Sequence, residues 1–119
     1  MRLEIKNVSV GDETPLDKWF PENRKIIFKI ICVDIGEIKK KNSDRFFIKI
    51  ATPDGLKQVE SVGNIVTSRP LLIVKEYDFT SILEWIGRVI NSCEGETWRE
   101  CVEKLRFYFD WEFDGYKEI

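Results

Sequence analysis

Eight carboxylates fall within residues 94–119: Glu94, Glu96, Glu100, Glu103, Asp110, Glu112, Asp114 and Glu118. The later ones alternate with aromatic residues, Phe109, Trp111, Phe113 and Tyr116. Three chemistries draw on such a set. Paired carboxylates do general acid/base work. Clustered carboxylates hold divalent cations, but the spacing matches no calcium loop, and no metal or other cofactor is expected. Acids beside aromatics also make protein-binding surfaces, in which the rings anchor and the charges steer a basic partner. Part of the set has a local use, because Glu96 and Glu100 favour the positive N-terminus of a following helix. That use does not reach Asp110, Glu112 or Asp114. The candidate partner-binding residues are therefore Glu94, Glu96, Asp110, Trp111, Glu112, Asp114 and Tyr116. Trp111 has core packing as its rival role.

The chain contains no histidine. This removes Ser-His-Asp and Cys-His nucleophile systems and the common His-containing zinc sites. Only carboxylate or lysine chemistry remains open to an enzyme, and nothing in the spacing supports it. The three cysteines, Cys32, Cys93 and Cys101, are odd in number and lack C-x-x-C spacing, as expected of buried free thiols in a reducing compartment. Charge is segregated. Residues 23–49 carry eight basic and three acidic side chains, a local +5, whereas residues 94–119 carry four basic and eight acidic ones, a local −4. The lysines at Lys39–Lys41 suit a solvated loop that keeps a sheet edge soluble. With Arg45 and Lys49 they would also serve a nucleic-acid binder, but no recognition-helix or RNP-type pattern accompanies them.

These residues need elements to position them. Residues 2–8 alternate in polarity and predict a strand. Residues 10–23 form a loop in which Trp19 and Phe20 pin the chain to the core. Residues 24–35, rich in Ile, Phe and Val, predict a central strand with both faces mostly covered. Residues 44–51 return as its hairpin partner. Thr52-Pro53 signals a short helix over 53–61, with Leu56 and Val59 facing inward and Gly55 weakening it. Residues 71–75 predict another strand. Asp78 caps a helix over 79–92, whose apolar stripe Gly87 interrupts, so that another element can pack closely there. Thr97-Trp-Arg-Glu100 is a capping box for a second helix that ends near Phe109. The tail DWEFDGY then adds an edge strand or a tight turn.

This order predicts an α+β fold: an antiparallel sheet of about four strands with two C-terminal helices packed on one face. The length of 119 residues fits a single domain over 1–119. No apolar run is long enough to cross a bilayer and no signal-peptide core is present, so a cytoplasmic protein with no membrane partner is expected. An exposed edge strand would permit a monomer or a weak homodimer.

Three strings, LIVKEYDF (Leu72–Phe79), SCEGETWRECVEKL (Ser92–Leu105) and DWEFDGY (Asp110–Tyr116), resemble in order and spacing the immunity protein 8 family of bacterial polymorphic toxin systems. The likeness is densest over 72–116 and thinner upstream, where the Thr-Pro of ATPDGL is also similar. The sequence departs from the family pattern in the loop 36–44 and around Gly55. The resemblance implies a non-catalytic cytoplasmic antidote whose partner is the C-terminal domain of a cognate toxin, nucleases being one class of such toxins. Two rival readings are a nucleic-acid-binding module and a regulatory interaction module unrelated to toxins.

Overall fold

The computed structural model describes residues 1–11, 13–58 and 70–114. Six strands form one sheet: β1 (Leu3–Val10), β2 (Thr14–Pro15), β3 (Phe28–Glu37), β4 (Asp44–Ala51), β5 (Leu71–Ile73) and β6 (Asp110–Trp111). Three α-helices accompany it: α1 (Pro53–Lys57), α2 (Phe79–Ser92) and α3 (Trp98–Leu105). The fold is α+β as expected, with α2 and α3 supplying the C-terminal helical layer. The strand order is β2-β1-β3-β4-β5, with β6 also on β4. The pairings are antiparallel except β5 on β4, which is parallel. Neither the direction of β5 nor the two-residue strands β2 and β6 has a periodic signal in the sequence.

The hairpin of β3 and β4 is the centre of the sheet. It pairs in unbroken register from Phe28↔Ala51 to Ile35↔Asp44. Ile31, Val33 and Ile35 of β3, with Phe46, Ile48 and Ile50 of β4, form a buried face under the helices. On β1 a register shift between Ile5 and Asn7 changes the parity of the strand. It brings Leu3, Ile5, Val8 and Val10 onto that same face, because one extra residue restores the side-chain period after a break.

The expectation that both faces of the 24–35 strand are covered is corrected. Ile27, Ile31 and Val33 are buried, but Ile26 and Ile30 are exposed, Ile30 by 45%. The strand is central because it is paired along both edges, while helices pack against only one face. The 10–23 loop is corrected in part. Trp19 packs against the core and stacks edge-on with Tyr77 at 5.0 Å, but Phe20 is 81% exposed.

The caps follow the sequence. The Asp78 carboxylate accepts from Thr80 N–H, and the Ser81 hydroxyl beside it holds this carboxyl below the usual range. Thr97 Oγ accepts from Glu100 N–H, while the Glu100 carboxylate accepts from Glu96 N–H, one residue before the usual target of a capping box. Thr52 does more than cap α1. Its buried hydroxyl accepts from Ile27 N–H and Gly55 N–H and donates to Lys25 C=O. It thereby ties the entry to β3 onto the exit of β4. Among the described residues α1 runs from Pro53 to Lys57, and Leu56 is half-buried; Val59 and the end of the predicted 53–61 lie outside the described residues.

Two glycines exchange the roles the sequence suggested. Gly55 lets α1 press against the Ile27 backbone, where an added Cβ would stand 2.0 Å from the Ile27 carbonyl oxygen. Gly87 has nothing within 4 Å of where its Cβ would be, so no close packing explains it. Gly87→Ala should therefore stabilise the fold by about 0.5–1 kcal/mol, from helix propensity alone. Gly55→Ala should destabilise it by about 1–3 kcal/mol or more, as overpacking against rigid backbone does. Urea midpoints of the two variants, moving in opposite directions, check both.

Candidate interaction surface

The tail that follows α3 is held against the outer edge of β4. Phe46 pairs with Trp111 and Phe47 with Asp110. Past that short ladder, Glu112 continues the pairing by itself. Its N–H donates to Arg45 C=O at 2.9 Å, and its carboxylate accepts from Arg45 N–H at 2.6 Å. Trp111 lies on the core side, half-buried, with its indole N–H donating to the Asp44 carboxylate at 2.9 Å. Asp114 closes the segment. It accepts from Arg106 Nε at 3.0 Å and pairs with the same guanidinium at 2.8 Å.

The acids proposed from sequence thus separate by position and by occupation. Glu94 sits in the α2–α3 turn, where its carboxylate accepts from Leu3 N–H and its carbonyl from Lys104 Nζ, tying β1 to the helices. Glu112 and Asp114 are likewise bonded within the chain. Glu96 and Asp110 are exposed, and neither carboxylate has a hydrogen-bond partner among the described residues. Glu96 lies before α3 and Asp110 beyond it on β6. Tyr116 lies outside the described residues.

The surface is made by side chains the candidate set left out. Phe107 is 84% exposed, Tyr108 41% and Phe113 47%. Phe107 and Tyr108 occupy the turn after α3, where Phe107 N–H donates to Lys104 C=O and Tyr108 N–H to Leu105 C=O. Phe113 leans edge-on against Trp111 at 5.2 Å, and Tyr108 against Trp85 at 6.4 Å. The Arg106–Asp114 pair bridges the two ends of this row. One sequence signal was available. The inner stripe of α3 runs through Trp98, Cys101, Val102, Leu105 and Phe109, which leaves Phe107 off the core-facing side. A large aromatic displaced from such a stripe points outward.

The rest of the molecule presents less chemistry. Among the described residues, no group of three or more Cys, Asp or Glu side chains could hold a metal ion. Cys32, Cys93 and Cys101 are free and buried, and burial pushes the Cys32 and Cys93 thiols up. The lysines Lys39–Lys41 lie on the β3–β4 connection, where Lys39 takes a left-handed backbone conformation. No helix among the described residues is long and apolar enough to cross a membrane.

An α+β sheet that presents exposed aromatic rings on a braced turn has the form of a small interaction module. Comparison with known families gives the particular kind. The profile of the immunity protein 8 family, "Immunity protein 8", matches residues 3–116, and the chain belongs to that family. No curated protein and no solved structure matches it.

The bonding of the acids predicts a rank order of stability. Glu112→Ala should cost about 1–3 kcal/mol, because a half-buried Arg45 N–H loses its acceptor. Asp114→Ala should cost up to about 1 kcal/mol, as for a partly exposed ion pair. Asp110→Ala should stay within about 0.5 kcal/mol of wild type. Urea unfolding of the three variants measures the order. The cysteines give a second expectation. A thiol-specific disulfide reagent should label none of them at neutral pH in the native state and all three after denaturation, which absorbance at the thiolate product checks.

Proposed function

We propose that this chain is a cytoplasmic immunity protein that binds the C-terminal domain of a cognate toxin and neutralises it by occluding its active site or substrate surface. Family membership supports the role. The exposed row of Phe107, Tyr108 and Phe113 supports the mode and is the observation that carries it. A ring taken wholly out of water gains about 1.5–3 kcal/mol, nearly all of it open to Phe107 and about half to Tyr108 and Phe113. The whole gain is roughly 10- to 150-fold in affinity. Their backbone is already fixed by the turn after α3 and by the Arg106–Asp114 bridge, so little entropy is lost in presenting them.

The acids take a smaller part than their number suggests. Asp110 and Glu96 are exposed members of the candidate set and help to steer a basic surface, such as the substrate cleft of a nuclease. Trp111, Glu112 and Asp114 act beneath the contact surface as its supports, and Glu94 braces the start of α3 against β1. The reading assigns the chain no catalysis and needs only a monomer or a weak homodimer.

Co-expression with the toxin domain encoded directly upstream of this gene tests the reading. Wild type should restore growth and co-purify with the toxin domain. The pair Phe107→Ala and Phe113→Ala should weaken binding by at least about 100-fold with an unchanged melting temperature. Failure of wild type to protect or to form a complex would overturn it.

A further inference from the structure

The two short strands on the outer edge of β4 do not meet. β6 ends its pairing at Phe47 and β5 begins at Lys49, so Ile48 has no strand opposite it on that edge. The strands run away from this notch in opposite directions, with Pro70 and Asp110 at its lips. Pro70 is fixed there because its carbonyl accepts from Lys49 N–H at 3.2 Å. Two clefts open on either side, of about 180 and 210 Å³, and they share Ile48, Pro70 and Asp110 as walls. The first faces the uncovered side of the sheet, beside Ile30, Phe47 and Lys49. The second faces the aromatic row, beside Trp85, Phe107 and Tyr108.

We infer that this notch is the seat of a cationic side chain, an arginine or lysine, supplied by the bound toxin domain. The inference rests on the toxin-binding reading above and specifies what the partner must bring. Each cleft is smaller than the ~300–1,000 Å³ typical of small-molecule sites, so one side chain suits it better than a ligand. Asp110 decides the chemistry. Asp110 borders both clefts, its pairing with Phe47 puts its side chain on the uncovered face, and its carboxylate has no partner among the described residues, so an apolar occupant would bury it unpaired. A cation with a long apolar stem satisfies the carboxylate with its head and Ile48 and Pro70 with its stem. Two resident cations stand nearby. Arg106 is already paired with Asp114, while Lys49 remains on the uncovered side of the sheet. The partner's cation meets the Asp110 carboxylate on that same side, because Asp110 pairs with Phe47 and shares its face.

Calorimetric titration of the upstream-encoded toxin domain into wild type and Asp110→Asn tests this. The variant should fold as wild type does, judged by melting temperature, and bind about 30-fold more weakly or worse. A scan of arginine and lysine to glutamine across the toxin domain should then find one position at which Asp110→Asn has no further effect. Tight binding by wild type with an Asp110→Asn affinity within about twofold of it would overturn the inference and leave the toxin-binding reading intact. So would coupling of Asp110 to no toxin cation. Absence of wild-type binding would overturn the toxin-binding reading itself, and this inference with it.

Discussion

Strand β4 has two edges to satisfy, and the way it does so determines where everything else lies. Its inner edge is taken by β3 over the whole strand. Its outer edge has no single long partner. β5 covers Lys49–Ala51 and β6 covers Phe46 and Phe47, while Glu112 supplies an acceptor and a donor for Arg45 beyond them. Unpaired backbone groups at a half-buried edge cost more than the net value of an ordinary hydrogen bond, so the tail is held there by necessity. Once it is held, Trp111 turns inward to the core and Asp110 outward to the notch, because successive residues of a strand face opposite ways.

The other end of β4 is closed by one hydroxyl. Thr52 Oγ1 uses its whole capacity, accepting from the buried N–H groups of Ile27 and Gly55 and donating to Lys25 C=O. It fixes Ile27 at the start of β3, and α1 then fits only because Gly55 has no side chain to strike Ile27. Both ends of β4 are thus set by hydrogen bonds between residues far apart in the chain, while the middle is set by apolar packing under α2 and α3. A surface built on such a strand is pre-organised, and pre-organisation lowers the entropy lost on binding.

What could be read from the sequence divides along the same line. The hairpin, the caps at Thr52, Asp78 and Thr97, and α2 have signals within a few residues, and the structure has them where the sequence put them; α3 starts as expected but ends at Leu105 rather than near Phe109. The parallel direction of β5 depends on pairing across 22 residues of chain, and the partners of Glu112 and Glu94 on contacts across 67 and 91, for which a single sequence has no period. Gly87 was misjudged for a related reason, since a glycine in a helix looks the same whether or not a neighbour approaches it. The family motif was legible throughout, but its matching residues mostly report how the chain folds. Asp78, Thr97 and Glu112 are a cap, a cap and a ladder bond.

That distinction changes how the acidic tail relates to binding. Eight carboxylates over residues 94–119 suggest a polyanionic surface. Glu94 and Glu112 instead hold backbone N–H groups, Asp114 pairs with Arg106, and Glu103 stands 3.8 Å from Arg99. An ion pair contributes little field beyond the Debye length of about 8 Å at physiological salt, while Glu94 and Glu112, bonded to neutral N–H groups, keep their charge. On the proposed reading the acids without a cation partner steer the approach, and affinity comes from short-range contact, from the three exposed rings and the one carboxylate beside the clefts. Interfaces of that kind are tuned through dissociation more than through association. Variation in the rings around the notch would then change which toxin stays bound, while the bonded acids beneath remain fixed by the fold.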